Sequence, residues 1–299
     1  MPATLIAGAS GLLGGALAAT LDAQGIEVRR LVRRAAVGPQ EIPWDPARGV
    51  LDPGALDGAD AVINLAGRRV APGRWTAAAR REIADSRIRA TRLLVETMGR
   101  ARHRPPVFIS ASAIGFYGDR GDQVLTEEAG PGRGFMADVA VAWEQEAQRA
   151  PDGVRVVCTR FGLVLAHGGF LAPLLALFRL GLGGPLGSGR QWWSWVHVED
   201  LVAAVLFALR TPSLAGPVNV VGPHPVPNRE FAQALARAVR RPALLRAPAF
   251  ALRLALGRQM ADELLLSSQR VLPARLQAHG FRFRWTELEP ALRDLVGRR

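Results

Sequence analysis

The chain has 299 residues, 49% hydrophobic and 21% charged, with a formal net charge of +12. That length and apolar share exclude a disordered chain and leave room for one large α/β domain or a domain with a smaller partner. The single cysteine, Cys158, excludes an internal disulfide and a cysteine-rich zinc site, and the complete absence of lysine excludes any chemistry that needs an amine.

Ala3 to Ala7 reads as a short buried strand, followed by a glycine turn and a helix-compatible stretch from Leu12 to Gln24. The first 21 residues carry no charge, but a signal peptide needs a basic start, and glycines at 8, 11, 14 and 15 break this stretch. Glu27 to Val32 reads as a second strand, and Ala61–Leu65, Val107–Ala111 and Val154–Thr159 as further ones. Long helical patterns cover Ala77–Arg102 and Phe135–Arg149. Strands alternating with helices predict βαβ units and a parallel sheet. From Phe161 onward Gly and Pro are dense, with His167 and Arg179 interrupting an apolar stretch that runs to Gly187. Helical patterns return at Val198–Arg210, Asn228–Arg240, near Met260 and at Thr286–Leu295, with a strand candidate at Val218–Val221. The expected division is residues 1–165 for a nucleotide-binding domain, to which 196–222 returns, and 166–299 for a smaller substrate-side lobe.

No apolar run reaches the roughly 18 residues needed to span a bilayer, so no membrane partner is expected. All 38 basic residues are arginines spread among Ala, Gly and Pro, a compositional bias rather than a basic run interleaved with aromatics. Nucleic acid is therefore not expected as a partner, no metal is expected, and the lone cysteine fits a cytoplasmic location.

The first strand runs into Gly8-Ala9-Ser10-Gly11-Leu12-Leu13-Gly14, a G-x-x-G-x-x-G turn that opens a helix. Gly8 permits the tight turn, Gly11 admits a pyrophosphate to the backbone, and Gly14 lets helix and sheet pack closely. The N–H groups of Ser10, Gly11, Leu12 and Leu13 lie where the helix dipole favours phosphate. The second strand ends in Leu31-Val32-Arg33-Arg34, with no carboxylate to hold a ribose 2′-hydroxyl. A guanidinium there can pair with a 2′-phosphate, so the expected cofactor is NADP(H).

G-A-S-G-L-L-G, N-L-A-G at Asn64–Gly67 and I-S-A-S-A-I-G-F-Y-G at Ile109–Gly118 resemble the extended short-chain dehydrogenase/reductase superfamily. The stretch Gly181–Leu201, containing G-S-G-R-Q-W-W-S-W-V-H-V-E-D-L, is similar to its nucleoside-diphosphate-sugar epimerase-like branch. Leu264–Trp285 resembles that branch's own C-terminal domain of unknown function. The resemblance implies a doubly wound parallel sheet of Rossmann type with a smaller C-terminal α/β substrate lobe, and an NADP-dependent oxidoreductase or epimerase. It implies cofactor contacts from Leu65, Ala66 and Gly67, from Ser110, from Leu163 after the sixth strand, and from Trp75, Glu82 and Arg87 of a W-x6-E-x4-R pattern.

The superfamily's Ser/Tyr/Lys arrangement places Ser112 at the serine position. Aligned on Glu144, Met136 stands at the tyrosine position and Ala140 at the lysine position, and Tyr117 is the only tyrosine in the chain. Losing a positioned general acid costs roughly 10²–10⁴-fold in rate. Tyr117 is one candidate replacement, with packing as its competing role; His197 is another, with a structural histidine as the alternative; water is a third. Arg190, Gln191, Trp192 and Trp195, with His197, form a cluster suited either to a small-molecule substrate such as a nucleotide sugar or to packing between lobes. An NADP(H)-binding sensor with little turnover is the competing functional class. Oligomeric state and substrate identity are not encoded in any of these motifs.

Overall fold

The chain, described here from a computed structural model covering residues 3–71 and 73–297, follows the expected alternation; Met1, Pro2, Pro72, Arg298 and Arg299, and with them the outer ends of the segments 1–165 and 166–299, lie outside the described residues. β1 (Ala3–Ala7) leads into α1 (Leu12–Ala23), β2 (Glu27–Val32), β3 (Glu41–Pro43), β4 (Ala61–Asn64) and α2 (Ala77–Arg100). Next come β5 (Val107–Ala113), a 3-10 turn at Ile114–Tyr117, β6 (Val124–Leu125), α3 (Phe135–Gln148) and β7 (Arg155–Phe161). The second half supplies β8 (Leu163–Leu165), α4 (Leu171–Arg179), β9 (Trp192–Trp193), β10 (Trp195–His197), α5 (Val198–Arg210) and β11 (Gly216–Val220). It closes with β12 (Val226–Pro227), α6 (Asn228–Val239), α7 (Ala249–Leu256), α8 (Arg258–Met260), a π turn at Ala261–Leu266, β13 (Arg270–Val271), α9 (Ala274–Ala278) and α10 (Leu288–Gly297).

Seven strands form one parallel sheet in the order β3-β2-β1-β4-β5-β7-β11. The chain winds outward from β1 to β3 and then returns to β4, so the winding reverses between β1 and β4. Ligands of open α/β sheets bind in the crevice beyond the strand ends at such a reversal.

Alternation builds two cores. Ile6, Ile63, Ile109 and Val157 face α1 and α5, packing with Leu17, Leu21, Leu201 and Val205. Leu5, Val62, Phe108 and Cys158 face the other way, against Leu94, Met98 and Ala147 of α2 and α3. Because both faces are covered, the strands read as continuous apolar runs rather than alternating ones, and each fully buried aliphatic side chain contributes about 1.5–3 kcal/mol. β11 joins this sheet beside β7, delivered by α5. A third core unites α4, α6 and α10 with Trp193 and Trp195.

Candidate functional site

The glycine turn is sterically obligatory. Gly8 has φ +85°, and a Cβ there would come within 2.7 Å of the Leu65 carbonyl oxygen. A Cβ on Gly14 would lie 2.2 Å from the Gly8 carbonyl oxygen. Gly11 N–H donates to that same carbonyl at 3.0 Å, which closes the turn. α1 then begins at Gly11 with no side-chain cap and no acidic residue in its first turn. Ser10, Gly11 and Leu12 are exposed and Leu13 half-buried, so the N–H groups and positive end of the helix face outward. Opposite, Asn64 is buried, bonds Thr91 and accepts the N–H of Ala66, fixing Leu65, Ala66 and Gly67 at the end of β4. This cradle fits a dinucleotide pyrophosphate: a Cβ at Gly8 or Gly14 would strike backbone and force the turn apart.

Three arginines flank the cradle in different states. Arg33 is exposed, with no hydrogen-bonded or ionic partner among the described residues. Arg34, expected to share the 2′-phosphate role, does not present a free fork. Its two Nη atoms bind both Glu41 oxygens, at 2.7 and 2.8 Å, and that hydrogen bond holds the Glu41 carboxyl at about 2. Arg87 packs beside Gly67 and donates to the carbonyls of Ile83 and Arg68. Burial draws its guanidinium down to about 10, and no carboxylate pairs with it among the described residues. Such a cation favours an incoming anion. Glu82 instead pairs at the surface with Arg68, so no Glu82–Arg87 pair forms.

Ser112 stands at the end of β5 but is buried, and its hydroxyl donates to Glu144 at 2.6 Å. Glu144 is gripped by Arg160, whose Nε and Nη2 each lie 2.7 Å from a carboxylate oxygen. Arg160 also donates to the Tyr117 hydroxyl and stacks 3.5 Å from the Phe116 ring centroid. Tyr117 in turn donates to Asn219 at 2.7 Å. Asn219 binds the Leu272 carbonyl and, through its N–H, Glu127. This buried chain of polar groups links the β5 serine to the C-terminal segment.

The network corrects several expectations. Tyr117 is 0% exposed, and burial, opposed by Arg160, pushes its hydroxyl above the usual range. Its hydroxyl is taken up by Asn219 and Arg160, which gives it a packing role in this network. Ser110 is buried too, on the same strand face as Ser112 but one pleat deeper, which takes it away from the crevice. Leu163 opens β8, and its N–H is already committed to the Ser194 carbonyl. Met136 and Ala140 are buried apolar residues on α3.

The tryptophan cluster also divides. Trp195 is 1% exposed with its indole N–H on the His224 carbonyl, and Gln191 is buried on the Leu186 and Leu265 carbonyls. His197 is buried and caps α5, its Nδ1 accepting the Glu199 N–H while Nε2 lies 3.4 Å from Asp294. All three are buried, with polar atoms turned to protein partners. Trp192 stays half-exposed, bonded to Asp122 and covered by Arg270, and Arg190 is exposed.

Glu144, Arg160 and Glu263 were not foreseen as partners. Arg160 did leave a trace, a charge inside the apolar strand V-V-C-T-R-F. Glu263 left none: from the π turn it accepts the N–H groups of Phe135 and Met136 and caps α3 beside the vacant tyrosine position.

A parallel sheet reversing at a glycine cradle, with an uncapped helix aimed across it, defines a dinucleotide-binding protein of Rossmann type. Residues 4–222 match the NAD dependent epimerase/dehydratase family, and residues 247–295 match a domain of unknown function, DUF1731. The chain belongs to that epimerase/dehydratase family. It is 45% identical over 289 residues to an epimerase family protein of Mycobacterium bovis, covering 96% of this chain and 95% of the relative. Against the human epimerase family protein SDR39U1 identity is 35%, covering 98% and 99%. The crystal structure of that human protein (isoform 2) with NADPH superposes with a TM-score of 0.91 at 32% identity, covering 99% of both chains. A nucleoside-diphosphate sugar epimerase from Corynebacterium glutamicum gives 0.82 at 34% identity, covering 99% of this chain and 59% of that one.

Proposed function

We propose that this protein is an NADP(H)-dependent oxidoreductase or epimerase-like enzyme acting on a small carbonyl or sugar-nucleotide substrate, with a proton route that avoids Tyr-x-x-x-Lys. The observation that carries the reading is the cradle in which Gly8 and Gly14 leave no room for a Cβ before an uncapped helix. The NADPH held by the human relative supports the choice of cofactor. Gly11 to Leu13 would hold the pyrophosphate, Arg33 a 2′-phosphate, and Arg87 a phosphate or ribose beside Gly67. Bound there, a nicotinamide supplies or accepts the hydride.

The protein's own contribution is Ser112 with Glu144 behind it. Because the Ser112 proton points to Glu144, its oxygen is left as an acceptor for a substrate hydroxyl. In the oxidative direction the substrate O–H proton would pass to Ser112 as Ser112's proton passes to Glu144, the hydride acceptor being a nicotinamide held at the cradle. Arg160 grips both Glu144 oxygens and aims the carboxylate at Ser112. The test is transfer of label from 4-deuterated NADPH across a panel of simple carbonyls and sugar nucleotides. Turnover lost in Ser112→Ala but not in Tyr117→Phe is expected; turnover lost in neither variant would refute the Ser112 route. A second reading, an NADP(H)-binding sensor, is favoured by Met136 and Ala140 at the tyrosine and lysine positions. Tight NADPH binding with no label transfer across the panel selects it.

A further inference from the structure

A cluster of exposed apolar side chains gathers on the C-terminal half of the chain. Leu180 at the end of α4 is 73% exposed, Leu244 79%, Phe250 72% and Leu254 73%, with Leu182 and Leu245 exposed between them. The two segments that carry them run side by side. The Ala247 N–H donates to Pro185 and the Gly187 N–H to Ala247, Arg241 binds the Arg179 carbonyl, and Leu245 backbone lies against Gly184. α7 continues this ridge with no buried residue at all, placing Phe250 and Leu254 one helical turn apart on one side.

The segment that carries most of this ridge has charges of one sign in sequence. Residues 237–258 contain six arginines and no Asp or Glu. Arg237 is paired with Glu289, and Arg253 and Arg258 share Asp262. Arg240, Arg241 and Arg246 are exposed with no carboxylate partner among the described residues. Exposed Leu and Phe flanked by unpaired arginines match the headgroup boundary of an acidic bilayer, where apolar side chains enter the acyl layer and guanidinium groups meet phosphate.

We propose that this face, formed by the end of α4, the adjoining 241–247 segment and α7, docks on an anionic lipid bilayer surface. A second copy fits poorly: a two-fold contact would set the same arginines against themselves. Nucleic acid fits poorly as well, since Phe250 is the sole aromatic among residues 237–258. Docking at the surface needs no spanning segment, and no helix among the described residues is long and apolar enough to cross a membrane. The expectation that membranes play no part rested only on the lack of such a segment. This inference is independent of the proposed catalytic reading.

The test is co-sedimentation of the full chain with phosphatidylcholine vesicles, with and without phosphatidylglycerol, at low and high salt. Binding at least about tenfold tighter to the anionic vesicles, weakened by salt, is expected. The exposed pair Phe250→Ser/Leu254→Ser and the set Arg240→Gln/Arg241→Gln/Arg246→Gln should each lower binding about tenfold. Unchanged thermal unfolding shows that these variants stay folded. Equal or absent binding to the two vesicle types overturns the proposal, and so does binding that survives either variant. Concentration-dependent dimerisation abolished by the Phe250/Leu254 variant, with no vesicle binding, assigns the face to a second copy and overturns it as well.

Discussion

Arg160 is a cation with only 4% of its side chain exposed, and everything around it is arranged to satisfy it: Glu144 on one side, Tyr117 on the other and the Phe116 ring above. Removing one member of a buried pair strands the other's charge, so Arg160→Met should cost about 3–5 kcal/mol in urea denaturation. Tyr117→Phe leaves Asn219 and Arg160 each short of one partner and should cost about 1–3 kcal/mol, with NADPH affinity unchanged. A loss of affinity in Tyr117→Phe would return that side chain to the site. At the surface, the Arg34 hydrogen bond depresses Glu41 to about 2. A carboxylate with a lowered value adds stability above the ordinary carboxylate range and loses it as pH falls toward that lowered value. Carboxyl NMR should therefore find Glu41 titrating near 2 in the native chain and close to the ordinary value of about 4.3 in Arg34→Ala. Ordinary titration in the native chain would mean that the fork is open in solution, leaving Arg34 available to a phosphate.

At the scale of elements, α3 depends on a carboxylate remote in sequence. Glu263 accepts the N–H groups of Phe135 and Met136, so Glu263→Ala should lose about 1 kcal/mol and speed hydrogen exchange at those two amides first. Uniform exchange across α3 would contradict a local cap. This cap shows where sequence reading stops. The main strands and α1, α2, α3, α5 and α6 were legible because period and flanking glycines are local signals. The glycine turn was legible because its chemistry is contained within seven consecutive residues. β3 and β8 are three residues each, too short to show a period, and α4 hid among glycines and prolines. The partners of Arg34, Tyr117, Trp195 and His197 come from distant chain, and no local pattern encodes whether a polar side chain will meet solvent or a buried acceptor.

Across the whole molecule, two sheet faces covered by helices leave the strand ends as the open crevice, and the C-terminal segment is tied into it through Glu263 and through Asn219 and Leu272. The sheet thus places an uncapped helix end, an Arg33 with no partner among the described residues and a largely buried Arg87 around one opening. The most direct measurement is titration calorimetry of NADPH and NADH against the native chain, Gly8→Ala and Arg33→Ala. NADPH should bind at least about tenfold tighter than NADH, in keeping with one charge-assisted phosphate contact, and Arg33→Ala should erase that preference. Gly8→Ala should abolish binding of both. Equal affinity for the two cofactors in the native chain, or undiminished binding in Gly8→Ala, would contradict the account.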